Sequence, residues 1–125
     1  MTQPTNVQRV AVLGAGTIGA SWTAWFLARG MTVEVWDPRP EAEAYVRRTI
    51  ADAWPAMARL GMMAGASPDA WRFVGTPETA VAGAEFVQEN APERLPIKRE
   101  LYARIDSVLP PDAIIASSTS GLIMS

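Results

Sequence analysis

Three glycines and an aspartate set the first chemical constraint on this 125-residue chain. In the segment Val10 to Asp37, VAVLGAGTIGASWTAWFLARGMTVEVWD, the residues Gly14, Gly16 and Gly19 stand at G-x-G-x-x-G spacing between an apolar run and an alanine-rich one. An apolar strand entering such a turn delivers the backbone to the start of a helix, whose unpaired N–H groups and positive dipole end hold a pyrophosphate. Gly14 permits the tight turn, Gly16 leaves no Cβ between backbone and phosphate, and Gly19 lets the helix pack closely on the strand. Ala20, Ala24 and Ala28 continue that helix as small residues four apart. Thr32 to Trp36 then reads as a buried strand with Asp37 at its carboxyl end, where a carboxylate accepts both hydroxyls of an adenosine ribose. That charge opposes a 2′-phosphate, so NAD is expected over NADP; Arg39 softens the preference without reversing it. The same turn serves FAD proteins, although these often carry glutamate where this chain has Asp37. A glycine-rich turn that binds nothing is the plain alternative.

The elements that must position these residues follow from periodicity. Val46, Ile50, Trp54 and Ala58 recur every four residues within Arg39 to Leu60, which argues for an amphipathic helix. Pro55 falls inside it and forfeits a hydrogen bond at a cost of roughly 3 kcal/mol, so a kink or restart is expected near Trp54. Gly61 to Pro68 reads as a loop, and Met57, Met62 and Met63 as core or gap-filling side chains rather than a ligand-facing cluster. Trp71 to Val74 is a short strand candidate. Thr76 followed by Pro77 and Glu78 marks a helix start running to about Ala82. Ala84 to Gln88 is the next strand, and from Pro92 or Glu93 a helix carries the stripe Lys98, Leu101, Tyr102, Ile105 and Val108 until Pro110. Ala113 to Ala116 reads as a buried strand opening into the polar turn Ser117, Ser118, Thr119, Ser120, Gly121. The five tryptophans read as core and packing residues, with Trp22 and Trp25 near enough to the glycine turn to flank it.

This alternation of strands and helices predicts an α/β fold, a Rossmann-type doubly wound parallel sheet with helices on both faces and strand order 3-2-1-4-5. Ligands then sit at the carboxyl ends of the strands. That edge gathers Gly14 to Gly19, Asp37, Gln88 to Glu93 and Ser117 to Ser120.

Composition narrows the function classes. A net charge of −2 gives no electrostatic case for nucleic acid or an anionic membrane surface. With no cysteine there is no disulfide framework, thiolate metal site or thiol nucleophile, and no metal is expected. The polar start MTQPTNVQR is neither a secretory signal nor an anchor, and no apolar run reaches membrane-spanning length, which is compatible with a cytoplasmic setting. There is also no histidine. Taking a proton from a secondary alcohol near neutral pH is most often histidine work. Either another group serves, or the base lies on a part of the protein beyond these residues.

Together GAGTIGASW, DPRPEA, VQENAPERLPIKRELYARID and SSTSGL resemble the NAD-binding domain of the 3-hydroxyacyl-CoA dehydrogenase family, over nearly the whole chain. Within it, QENAPERLPIKR and SSTSGL resemble the branch containing L-carnitine 3-dehydrogenase and lambda-crystallin (gulonate dehydrogenase), and DPRPEA points toward the former. The resemblance implies that Gly14, Ala15, Gly16, Thr17, Ile18 and Gly19 form the pyrophosphate loop and Asp37 binds the ribose. It places Glu93 and Lys98 near the nicotinamide half of the cofactor, and Ser120 against both cofactor and the substrate's hydroxyl or keto oxygen. Ser118 replaces the asparagine of the S-N-T-S word of the acyl-CoA enzymes, which speaks against a coenzyme A substrate. Without the resemblance, Glu93 reads as a helix-dipole partner, Lys98 as a solvated lysine, and Ser117 to Thr119 as turn residues.

The activity so implied is NAD-dependent oxidation of the 3-hydroxyl of a small hydroxy acid, carnitine in the first instance. 3-Hydroxybutyryl-CoA and L-gulonate are alternative substrates, and a non-catalytic NAD-binding module is an alternative of another class. In the resembled enzymes a histidine held by a glutamate follows the serine-rich turn, and a helical domain beyond completes the substrate site and dimerises. Residues 1–125 are thus expected to be the cofactor-binding part of a longer homodimeric enzyme.

Overall fold

In the computed structural model, residues 7–90 and 95–117 are described. Along them run β1 (Arg9–Leu13), α1 (Thr17–Ala28), β2 (Thr32–Trp36), α2 (Ala42–Leu60), β3 (Trp71–Phe73), α3 (Pro77–Val81), β4 (Phe86–Glu89), α4 (Leu95–Asp106) and β5 (Ile114–Ser117). All strand pairs are parallel and the sheet order is β3-β2-β1-β4-β5, as the alternation predicts. β1 lies between β2 and β4, with Val12 opposite both Val35 and Gln88. The chain reverses its direction of travel across the sheet at β1, and the crevice this opens at the strand carboxyl ends is where such folds take ligands.

Side chains alternate across each strand, so the short Val-rich runs feed two cores. Val10, Val12, Val33 and Val35 face one way and are covered by Ala20, Ala24 and Leu27 of α1 and by Val46 and Ile50 of α2. Ala11, Leu13 and Val87 face the other way, against Ala80 and Val81 of α3 and Leu101 and Ile105 of α4. Thr23 is fully buried on α1 because its hydroxyl donates to the carbonyl of Gly19 at 2.9 Å. α3 begins as its sequence predicts: Thr76 accepts the Thr79 N–H at 3.1 Å, with Pro77 in the first turn.

Four expectations are corrected. α2 runs unbroken through Pro55, without a restart near Trp54. Pro55 and Ala51, whose carbonyl loses its donor, are both on the exposed side, so the missing bond falls away from the core. The buried stripe continues through Met57, packed on the core, while Ala58 is exposed and Met63 is 47% exposed. β4 spans Phe86–Glu89 rather than Ala84 to Gln88, because Ala84 is held in a turn by its N–H bond to Val81. β5 is not buried: it ends the described sheet, with Ile114 58% and Ile115 36% exposed. No helix among the described residues is long and apolar enough to cross a membrane.

Candidate functional site

The glycine turn has the geometry its spacing demands. Gly14 lies at φ +98°, a region that side chains rarely adopt, and its N–H donates to the Trp36 carbonyl at 2.8 Å. A Cβ on Gly19 would stand 1.9 Å from the Gly14 carbonyl oxygen, so the helix approaches the turn as closely as backbone permits. At Gly16 a Cβ would meet only the Arg39 guanidinium, at 3.8 Å, which leaves the approach to this backbone open. Gly16 also caps α1 without a side-chain hydrogen bond, and the first turn holds no acidic residue. That end of α1 therefore keeps its donor character for an anion. Ala15 is fully buried, whereas Ile18 is 55% exposed.

Asp37 stands at the end of β2 beside this turn, its side chain only 4% exposed. Its Oδ2 accepts the Ala15 N–H at 2.7 Å and Arg39 Nη2 at 3.1 Å. Its Oδ1 accepts the Arg39 N–H at 2.8 Å and Arg39 Nε at 2.9 Å. Burial alone would raise its pKa, but hydrogen bonds from the Arg39 side chain, Ala15 and the Arg39 backbone prevail and hold it below the ordinary carboxylate value. The aspartate expected to bind the ribose is thus ionised and tied to the phosphate turn. A cavity of about 550 Å³ opens over it, between Gly14 and Gly16 on one side and Leu101 and Arg104 of α4 on the other.

On the other side of β1, the carboxyl ends of β4 and β5 hold a second polar group. Lys98 is not a solvated lysine: it is 2% exposed, and its Nζ donates to Glu89 Oε1 at 2.6 Å and reaches Ser117 Oγ at 3.4 Å. Tyr102, one helical turn on, donates its hydroxyl to the same Glu89 oxygen at 3.1 Å. Burial, and then the Glu89 carboxylate beside it, raise the Tyr102 hydroxyl well above the usual tyrosine value. Glu89 is completely buried.

Three residues to which the sequence assigns no individual role help build this edge. Glu89 anchors Lys98. Asn90 donates Nδ2 to the Gly14 carbonyl at 3.2 Å and its N–H to Leu13 at 2.8 Å, joining β4 to the turn. Tyr45 of α2 places its hydroxyl 3.2 Å from Thr17 Oγ1. A carboxylate closing a buried strand is the sequence signal for Glu89; nothing local marks Tyr45. Glu93 and Ser120, with Ser118 and Thr119, lie outside the described residues.

Trp22 and Trp25 do not line the cavity over Asp37. They are 36% and 41% exposed, group with Phe26 at ring separations of 5.5 to 5.8 Å, and border a separate apolar hollow with Phe86. Among the described residues no acidic cluster suits a metal ion.

Residues 9–125 match the family described as 3-hydroxyacyl-CoA dehydrogenase, NAD binding domain. An L-carnitine dehydrogenase of Streptomyces coelicolor is 56% identical over 124 residues, covering 99% of this chain and 39% of its own length. The L-carnitine dehydrogenase of Pseudomonas putida is 50% identical over 121 residues, covering 97% and 38%. Among solved structures, 3-hydroxybutyryl-CoA dehydrogenase from Escherichia coli K12 superposes with TM-score 0.79 at 30% identity, over 94% of this chain and 25% of that one. A 5-formyl-3-hydroxy-2-methylpyridine 4-carboxylic acid 5-dehydrogenase, described as an NAD+-dependent dismutase, gives TM-score 0.82 at 31% identity, over 93% and 38%. The chain spans about two fifths of the length of these curated relatives. With the turn, the buried aspartate and the match through residue 125 in agreement, the chain belongs to the 3-hydroxyacyl-CoA dehydrogenase family, as its NAD-binding domain.

Proposed function

We propose that this chain is the cofactor-binding part of an NAD-dependent dehydrogenase that oxidises the 3-hydroxyl of L-carnitine to a ketone. The observation that carries the reading is the 56% identity, over 99% of the chain, with an L-carnitine dehydrogenase. Ser118 in place of the asparagine typical of acyl-CoA enzymes supports it.

The residues fit the cofactor. Gly14 to Gly19 receive the pyrophosphate on open backbone, and Asp37, ionised and held by the Ala15 N–H, accepts the adenosine ribose. NAD supplies the hydride acceptor when bound. Lys98, fixed by Glu89 beside Ser117, serves the nicotinamide half together with Glu93, and Ser120 contacts cofactor and substrate oxygen. The chain has no histidine, so the proton leaves to a base elsewhere in a longer protein, which also supplies the rest of the substrate site and a homodimer interface. A cytoplasmic setting accords with the absence of cysteine.

The test is NADH formation by the full-length protein with carnitine, gulonate or 3-hydroxybutyryl-CoA as the offered alcohol. Preferred turnover of carnitine is expected, and preference for either of the others overturns the substrate assignment. NAD binding with no turnover of any would favour a sensing or structural module. Residues 1–125 alone are expected to bind NAD and oxidise nothing.

A further inference from the structure

Asp37 sits among more donors than a ribose ligand can keep. A carboxylate offers about four acceptor positions, and four N–H donors already fill them: the backbone N–H groups of Ala15 and Arg39, and Nε and Nη2 of Arg39. The two backbone donors are fixed by the turn and by the chain leaving β2. The other two belong to a side chain that is 56% exposed and reaches over Gly16, its Nη2 3.8 Å from the point that a Cβ there would occupy. Two ribose hydroxyls need two acceptor positions, and only those taken by the Arg39 side chain can be released without undoing the turn.

The remaining charges of the cavity single out the same residue. Arg104 also lines it, but its Nε and Nη2 are held by Glu78 at 3.1 and 2.9 Å. Glu100, a further charged residue of the lining, repels phosphate. Arg39 is thus the cation beside the ribose position whose present partner is the ribose ligand itself.

We propose that Arg39 sets how strictly this site discriminates between dinucleotides: it competes with the ribose hydroxyls for Asp37, and it becomes the ligand of a 2′-phosphate once Asp37 is neutralised. Asp37 thereby performs two exclusions, repelling the 2′-phosphate and occupying the guanidinium that would otherwise bind it. A guanidinium fork suits a phosphate better than an ammonium does, so the effect belongs to arginine and not to positive charge alone.

The proposal rests on the assignment of Asp37 to the ribose, and five chains separate the two: the native protein, Arg39→Ala, Asp37→Asn, the double variant of these, and Asp37→Asn with Arg39→Lys, each titrated at equilibrium with NAD and with NADP. Asp37→Asn keeps an acceptor for the Ala15 N–H, and a thermal melt of each variant checks that it folds. Weaker NAD binding by Asp37→Asn, about tenfold, tests the ribose assignment alone; unchanged NAD binding overturns that assignment. For Arg39, three results are expected. Arg39→Ala binds NAD about two- to fivefold more tightly, the size of a partly exposed ion pair released from competition. Asp37→Asn binds NADP about tenfold more tightly than the native protein. The double variant loses that gain, and Arg39→Lys in the Asp37→Asn background recovers only part of it. Equal NADP affinity in Asp37→Asn and the double variant overturns the 2′-phosphate role, and NAD binding by Arg39→Ala no tighter than native overturns the competition.

Discussion

Lys98 and Glu89 form an ion pair withdrawn from water, Glu89 without any solvent contact, so removing one partner costs more than removing both. Lys98→Met removes the cation from that carboxylate and leaves it the Tyr102 hydroxyl, so it should lower unfolding free energy by about 3 kcal/mol in a urea titration, while replacing both residues by apolar ones of similar volume should cost much less. Gly19→Ala sets a methyl 1.9 Å from the Gly14 oxygen and must push turn and helix apart. A loss of about 1–3 kcal/mol is expected in the same measurement, together with weaker NAD binding. Much of the site was legible in sequence because a glycine turn and its acidic partner are defined by local spacing. The surroundings of Lys98 were not: its helical stripe was visible, but its burial depends on β4 and β5 lying side by side beneath it, which spacing along α4 does not encode.

At the scale of elements, α2 shows where a local rule yields to packing. Ala42, Val46 and Ile50 hold its inner face to the core, so the hydrogen bond missing at Pro55 is absorbed on the solvent side. Pro55→Ala should therefore raise stability, by about 1–3 kcal/mol, measured as a shift in the urea midpoint. No change would mean that the stiffness of proline in the unfolded chain offsets the restored bond. Strand positions were readable because apolar runs between turn residues are short-range signals. The exposure of β5 was not, because a run such as Ala-Ile-Ile-Ala looks alike in the middle of a sheet and at its end; only lateral order tells them apart.

For the whole molecule, two partly buried ionisations contribute to the pH dependence of stability. Asp37 has a folded value below its reference of 3.8, so its contribution is complete above that pH and is lost as pH falls through the lower folded value. Tyr102 is raised above its reference of 10.0, so its contribution is complete below pH 10 and is lost as pH rises toward the higher folded value. Tyr102→Phe should flatten the alkaline side of a stability profile measured by thermal melts, with no corresponding change in the acid limb. Ligand linkage acts on the same scale: NAD at about 100 times its dissociation constant should add roughly 2.7 kcal/mol. A calorimetric scan with and without NAD checks this.

The single hydrogen bond from the Ala15 N–H to Asp37 has an evolutionary reading. The side chain we assign to the adenosine ribose also fastens the glycine turn, so on that assignment a lineage drifting toward another dinucleotide cannot place an acceptor-free residue at position 37 without loosening the turn. Cofactor preference would then be tethered to foldedness, the open routes to a new preference being those that keep an acceptor for Ala15, at position 37 or through a second substitution.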